Sequence, residues 1–158
     1  MQDLIVRKAK NNELETIQKL NYQLFLHEKE FDSFLNMKWP FEKAGEDYFR
    51  KRIDGKGGVC LVAEVNGEIV GYLAGGLAKT YSYRTIKKIA ELENTLVKEE
   101  FRGQGVGEKL FEEFVEWSKS MEIKRIKVSV STGNSNAVKF YERISFAPYT
   151  SELEYKIK

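Results

Sequence analysis

The sequence has a single cysteine, Cys60, and a single histidine, His27, among its 158 residues. One cysteine cannot form an internal disulfide or a multi-cysteine metal site, and His27 has no second histidine with which to share a metal. We therefore predict that the protein uses no metal ion. Cys60 stands in the apolar run 59–63, where the expected role of a thiol is that of a small buried hydrophobe.

Long apolar runs and an excess of one charge sign are also missing. No stretch approaches the ~18 apolar residues of a membrane span, and charges begin at Asp3 instead of after an apolar leader. We therefore predict neither a membrane segment nor a signal peptide, and expect a cytoplasmic protein. The 26 basic and 24 acidic residues leave a dispersed net charge of +2, which argues against nucleic acid as a partner.

The composition supports one hydrophobic core. Hydrophobic residues make up 42% of the chain and aromatic residues 13%, which predicts a single folded domain over residues 1–158. In the first half, the patterns predict a strand over 4–9, a helix over 12–26, and a second helix that starts at Trp39-Pro40. Two further strands, 59–65 and 68–78, flank the favoured hairpin dipeptide Asn66-Gly67.

The second half changes to alternating strands and helices. We predict a long strand over 86–97, helices over 106–121 and 136–144 with a strand over 125–131 between them, and closing strand material over 149–157. In the long strand, Ala90, Leu92 and Leu96 are expected on one face, and Glu91 and Glu93 on the other. The pattern predicts an α/β fold with a mixed, mostly antiparallel sheet of about six to seven strands flanked by about four helices.

A glycine-rich turn joins the long strand to the following helix. Gly103, Gly105 and Gly107 alternate with other residues where the strand ends and the helix begins. Glycine lets the backbone approach an anion closely, and the first amides of a helix have no internal partner and attract negative charge. The turn therefore predicts a diphosphate site, with Arg102 at its edge as an additional contact.

Two familiar phosphate loops do not fit this segment. A P-loop requires Lys-Ser or Lys-Thr after its last glycine, but Glu108-Lys109-Leu110 follow Gly107. The dinucleotide-binding fingerprint counted from Gly103 requires glycine at position 108, which is Glu108. On its own, the segment thus predicts a bound phosphate without saying which ligand carries it.

A second motif follows one strand later, and with it the chain resembles the GNAT superfamily of N-acetyltransferases. The family pattern Arg/Gln-x-x-Gly-x-Gly/Ala is matched by Arg102, Gly105 and Gly107. The next family pattern, Asn-x-x-Ala-x-x-Phe-Tyr-Glu-Lys-x-Gly-Phe, is matched by Asn134, Ala137, Phe140, Tyr141, Glu142 and Phe146. Arg143 replaces the common lysine, and Ser145 replaces the glycine, at a cost of about 1 kcal/mol if that residue is left-handed.

The resemblance implies direct transfer of acetyl from acetyl-coenzyme A to an amine in a ternary complex. It implies that the exposed amides of Leu96 and Val97 pair with the pantetheine arm and polarise the acetyl carbonyl. Tyr141 matches the family's proton donor to the thiolate. The implied cofactor-binding residues are Leu96, Val97, Arg102, Gly103, Gln104, Gly105, Val106, Gly107 and Asn134.

The general base and the acceptor are less defined by the motifs. Glu93 occupies a strand position where several relatives carry an acid, and Glu91 is the reserve candidate; either can instead belong to a solvated face. The segment between the first two helices brings acidic and aromatic residues that suit a cationic amine: Glu28, Glu30, Phe31, Asp32, Phe34 and Trp39. The expected acceptor is a polyamine-like molecule or a protein N-terminus or lysine.

Other functions compatible with the sequence are a non-catalytic acetyl-coenzyme A sensor and a regulatory domain that binds another diphosphate. A homodimer is a possible assembly.

Overall fold

The computed structural model describes residues 3–158, and its centre is one five-stranded sheet with strand order β1-β2-β3-β4-β5. The first four strands pair antiparallel, and β5 pairs with β4 in parallel. The α-helices and strands, in chain order, are β1 (Leu4–Lys8), α1 (Leu14–Glu28), α2 (Lys43–Ile53), β2 (Gly58–Val65), β3 (Glu68–Leu77), β4 (Ala90–Val97), α3 (Val106–Ser120), β5 (Ile126–Val128) and α4 (Ser135–Arg143). This arrangement confirms the predicted α/β class with a mixed, mostly antiparallel sheet.

Two apolar clusters cover the two faces of the sheet. The alternating residues Val59, Leu61 and Ala63 of β2 pack with the α3 residues Leu110 and Phe114. Their neighbours on the same strand face the other way, into a cluster formed with α1 and α2. Cys60 is buried in that second cluster with 1% exposure, which confirms its predicted role as a small apolar residue.

The β2–β3 hairpin has the predicted turn. Asn66 and Gly67 have φ values of 51° and 83°, and two successive positive φ values define the type I′ turn that matches the twist of paired strands. The turn therefore sets the pairing of Val65 with Glu68 at the end of the hairpin.

Strand β4 contains a β-bulge that the sequence pattern did not predict. Leu92 is opposite Gly75 and Asn94 is opposite Ala74, so Glu93 is an extra residue in β4. An extra residue reverses the facing of everything beyond it. Consequently Ala90 and Leu92 join the α3 cluster while Leu96 joins the α1–α2 cluster, and the prediction that all three share one face was wrong.

The predicted count of six to seven strands was too high. Residues 149–157 form no strand, and their apolar side chains are exposed, including Leu153 at 92% and Tyr155 at 84%. An alternating pattern of apolar residues predicts which side chains a strand would bury, but it does not provide a neighbouring strand for pairing. The neighbour at this edge of the sheet would be β5, which has only three residues to pair with. β4 likewise begins at Ala90 and not at residue 86. No helix within residues 3–158 is long and apolar enough to cross a bilayer.

Ser145 occupies a left-handed position directly after α4, with φ of 75°. Because a left-handed L-residue is strained, we predict that Ser145→Gly raises the free energy of unfolding by up to about 1 kcal/mol, as measured by urea denaturation. Ser145→Ala is the matched control, since it keeps the Cβ atom and should bring no gain. Equal stabilisation by both changes would contradict the argument from strain.

Candidate functional site

The glycine-rich turn lies between the end of β4 and the start of α3. After a short 3-10 turn over Glu99–Phe101, Gly103 and Gly105 have φ values of 69° and 81°. Gly105 is the N-cap of α3 and has no side chain to cap the helix. No atom lies within 4 Å of the position that a Cβ would take at either glycine, so an open surface lies over the turn.

The amides of this turn are available to a ligand. Within residues 3–158, the N–H groups of residues 103–108 donate no hydrogen bond to an acceptor outside α3. The next amide along the chain, that of Lys109, donates to the Gly105 carbonyl at 3.0 Å. Unpaired amides at the positive end of a helix dipole bind phosphate oxygens well. The turn therefore has the geometry of an anion cradle, and the diphosphate as its ligand stays a prediction.

Three predicted cofactor-binding side chains have structural contacts of their own. Arg102 Nε donates to the Val97 carbonyl at 2.9 Å, and Gln104 Nε2 donates to the Glu100 carbonyl at 2.9 Å. Asn134 caps α4 by accepting from the Ala137 N–H at 3.2 Å. These contacts fold the turn and begin the helix. Gly107 lies against the α4 ring of Phe140, whose carbons are 3.1 Å from where a Cβ would stand.

The edge of β4 beyond Leu92 faces no strand, because the pairing with β5 ends at Leu92 and Val128. The Ala90 N–H points towards β5 and bonds Arg125, whereas the Lys98 N–H points towards β3 and bonds Val70. Amide direction alternates along a strand, so the N–H of Val97 lies on the open edge and that of Leu96 is turned to β3. Of the two amides predicted to meet the ligand, the structure leaves the one of Val97 open, with Thr95 two residues before it.

Two clefts meet at this part of β4. The first, of about 620 Å³, runs beside the glycine turn. Its lining residues are Gln23, Leu26, His27, Leu96, Lys98, Glu99, Glu100 and Arg102. The second, of about 460 Å³, lies between α1, α2, β4 and α4. Its lining residues are Asn21, Leu24, Phe25, Glu28, Leu35, Trp39, Tyr48, Glu93, Asn94, Thr95, Val128, Ser129 and Tyr141.

The second cleft brings together the two predicted catalytic residues, Tyr141 and Glu93. Tyr141 packs against the rings of Phe140 and Phe146, with centroids 5.2 and 5.4 Å away. Burial raises the pKa of its phenol to about 12, and the nearby Glu28 carboxylate adds to this shift. The hydroxyl is therefore protonated throughout the ordinary pH range and can donate a proton.

The Glu93 carboxylate is held from two sides. Arg52 of α2 donates from Nε to Oε2 at 2.9 Å and from Nη2 to Oε1 at 2.5 Å. The Tyr48 hydroxyl also donates to Glu93 Oε2, and Arg52 lies over the Tyr48 ring at 5.2 Å. The side chains of Arg52 and Glu93 are only 12% and 21% exposed. This two-point ion pair attaches α2 to the bulge of β4.

Two amides of the same cleft have buried oxygens without donors. Asn94 Nδ2 donates to the Tyr48 hydroxyl at 2.9 Å, and Asn21 Nδ2 donates to the Tyr72 hydroxyl at 2.8 Å. Oδ1 of each asparagine is buried and unpaired within residues 3–158. If the Asn21 amide is turned over, the Tyr72 hydroxyl can donate to its oxygen. The Tyr48 proton is used by Glu93, so Asn94 Oδ1 is the amide oxygen of this cleft that a ligand N–H could satisfy.

The reserve candidate, Glu91, lies elsewhere. Its Oε2 is 3.6 Å from Lys127 Nζ, and it is not among the residues that line either cleft. Sequence reasoning missed Arg52, Tyr48, Asn94 and Asn21. Asn21 carried the one available signal, since it is a polar residue between the predicted core positions Leu20 and Leu24.

An anion cradle, an open strand edge and a polar cleft with a buried phenol thus lie in one region of the described structure. The model of the Acetyltransferase (GNAT) family matches residues 20–146. The chain therefore belongs to the GNAT family of acetyltransferases, which confirms the resemblance found in its motifs.

Relatives agree with this assignment, and a solved structure shares the fold. The chain is 26% identical over 141 residues to an uncharacterised N-acetyltransferase of Methanocaldococcus jannaschii, covering 89% of this chain and 59% of that protein. It is 30% identical over 150 residues to thialysine N-epsilon-acetyltransferase of Bos taurus, covering 89% and 82%. AAC(6')-Iy, solved with the bisubstrate analogue CoA-S-monomethyl-acetylneamine, superposes with a TM-score of 0.79 at 16% identity, covering 99% of each chain. The chain spans about three fifths of the length of the archaeal relative.

The ion pair between Arg52 and Glu93 predicts a large effect on stability. Breaking buried pairs costs ~3–5 kcal/mol and exposed pairs ~1 kcal/mol or less, so we expect Arg52→Gln to lower the free energy of unfolding by about 2 kcal/mol in urea denaturation. Lys43→Gln is the control, because the Lys43–Asp47 pair is exposed and should change stability by less than about 0.5 kcal/mol. Equal losses for the two variants would contradict a bracing role for Arg52.

Proposed function

We propose that this chain is an acetyl-coenzyme A-dependent N-acetyltransferase that passes acetyl directly to a primary amine. The observation that carries the proposal is the continuity of three features along one strand: the unpaired amides of residues 103–108, the open edge at Val97, and the cleft that contains Tyr141. A ligand with a diphosphate at one end and a thioester at the other would engage all three.

The residues fit such a ligand. The amides of 103–108 would hold the diphosphate, and Arg102, anchored on the Val97 carbonyl, would add positive charge at its edge. The N–H groups of Val97 and Thr95 would pair with the pantetheine arm and polarise the acetyl carbonyl. Leu96 contributes its side chain to the wall of the first cleft, and its amide stays with β3.

Acetyl-coenzyme A supplies an activated thioester carbon. Tyr141 donates its phenolic proton to the sulfur as the carbon–sulfur bond breaks, so the product is a neutral thiol. A phenol held protonated by burial performs this step without a metal or a covalent enzyme intermediate. Glu93, fixed by Arg52 and Tyr48, braces the acceptor wall of the cleft.

The acceptor class follows from that wall. Glu28 and Glu93 contribute carboxylates, Asn94 contributes an unpaired oxygen, and Trp39 and Phe25 contribute rings. This chemistry suits a cation with several N–H donors. Three acceptor types fit: a polyamine-like molecule, a lysine-like side chain or a protein N-terminus. A homodimer stays a prediction.

The test is a panel of primary amines mixed with acetyl-coenzyme A, with release of free thiol as the readout. The panel contains putrescine, thialysine, an aminoglycoside and a peptide with a free N-terminus. Thermal shift in parallel should show stabilisation by acetyl-coenzyme A and coenzyme A but not by ATP or NAD. Stabilisation without turnover on any amine would identify a sensor, and stabilisation by ATP or NAD would support another diphosphate ligand.

Tyr141→Phe tests the proton donor. The variant keeps the ring that packs on Phe140 and Phe146, so KM for acetyl-coenzyme A should change little while kcat falls by about 10²-fold or more. Tyr83→Phe is the control, because Tyr83 is 80% exposed and lies outside both clefts. An unchanged kcat in Tyr141→Phe would remove the phenol from the reaction.

A further inference from the structure

The Glu93 carboxylate is poorly placed to take a proton from the acceptor. Both of its oxygens accept hydrogen bonds from Arg52, and Oε2 also accepts one from Tyr48. These donors occupy the oxygens to which an acceptor amine would have to deliver its proton. Protonation of Glu93 would also break the contact that attaches α2 to β4.

Glu28 is the other carboxylate in the same cleft. It is the last residue of α1, it is half-buried, and its side chain has no hydrogen bond or ion pair within residues 3–158. Burial raises the pKa of its carboxyl above the ordinary value; the charge of His27 opposes this shift and that of Asp32 adds to it. A carboxylate with a raised pKa is a stronger base at neutral pH.

The groups that face Glu28 come from every element around the cleft. The negative charge of Glu28 contributes to the raised pKa of Tyr141 in α4 and of Tyr72 in β3. Tyr48 and Glu93 lie on the remaining wall of the cleft. The cation nearest that wall, Arg52, is already paired with Glu93. Glu28 is thus left without a cationic partner by the described residues that line its cleft.

The unpaired amide oxygen of Asn94 completes the arrangement. The Tyr48 hydroxyl has one proton and gives it to Glu93, so Asn94 must present Nδ2 to Tyr48 and turn Oδ1 away. A primary ammonium has three N–H donors, and the cleft offers it two unpaired acceptors, Asn94 Oδ1 and the Glu28 carboxylate.

We propose that the acceptor ammonium binds to Asn94 and Glu28, and that Glu28 is the general base, while Glu93 only positions the cleft. This proposal rests on the proposed function. The ammonium gives one proton to Glu28, which passes it to solvent. The neutral nitrogen then forms the carbon–nitrogen bond as the carbon–sulfur bond breaks. Tyr141 protonates the sulfur and recovers a proton from the product nitrogen, so one proton is released overall.

The pH dependence of kcat/KM tests the base, with the fastest amine of the panel as the acceptor. In the wild type, the ammonium is the bound form, so kcat/KM should rise with pH until Glu28 is ionised and then level off. The Glu28→Gln variant lacks this base, so it can use only the small fraction of the amine that is already neutral in solution. Its log kcat/KM should therefore keep rising with unit slope towards the pKa of the amine, near 10, and be at least about 10²-fold lower at neutral pH.

Two variants serve as controls. Glu93→Gln should be less stable but keep the plateau, and Glu15→Gln, on the exposed side of α1, should match the wild type. A plateau that survives in Glu28→Gln and disappears in Glu93→Gln would overturn the proposal and return the role to Glu93.

Asn94→Ala tests the binding part of the proposal. We expect KM for the amine to rise about tenfold or more while KM for acetyl-coenzyme A stays unchanged, since one hydrogen bond to a charged group is lost. Equal KM values for the amine would overturn the assignment of Asn94. If the wild type turns over no amine at all, the proposed function fails; if the wild type is active and Glu28→Gln has the same profile, only the present proposal fails.

Discussion

Strand β4 has one residue more than β3 between Leu92 and Asn94, and the site depends on this inserted Glu93. Before the bulge, β4 pairs with β5 and its apolar residues face α3. Beyond the bulge, the facing is reversed, Leu96 packs towards α1, and the amide of Val97 lies on an edge that has no strand beside it. The same residue that shifts the register also carries the carboxylate that binds Arg52 and Tyr48. Backbone irregularity and side-chain network therefore stabilise each other.

Much of the fold could be predicted because its signals are local. The Asn66-Gly67 turn, the apolar stripe of α3 and the glycines 103–107 each specify a structure within a few residues, and the structure contains all of them. The errors concern pairing between distant segments. Residues 149–157 alternate as a strand should but lack a partner, and the bulge at Glu93 becomes visible only when β3 is laid beside β4. The apolar pattern within one strand cannot show that the strand has one residue more than the strand it pairs with.

The difference between local and long-range signals also explains why one part of the site, the glycine turn, could be predicted and the other, the cleft that contains Tyr141, could not. The cradle could be predicted, since an anion site made of backbone amides needs only glycines and a helix start. The acceptor cleft could not, since it brings Asn21 from α1, Tyr48 from α2, Asn94 from β4 and Tyr141 from α4 to one place. Of these, only Tyr141 belongs to a motif. Glu93 was found as a residue but not as half of an ion pair, because Arg52 lies 41 positions away.

The polar groups of the cleft divide into satisfied and unsatisfied ones, and the division follows chemistry. Glu93, Arg52 and Tyr48 use up one another's hydrogen-bonding capacity, which gives the cleft a rigid wall at little cost in uncompensated charge. Asn94 leaves an oxygen unpaired, and Glu28 leaves a carboxylate half-buried. Both groups are acceptors, so a ligand that donates hydrogen bonds would compensate them. An ammonium that binds as proposed would return the free energy that the fold gives up at these positions, and the rigid wall keeps the protein from relaxing to recover that free energy by itself.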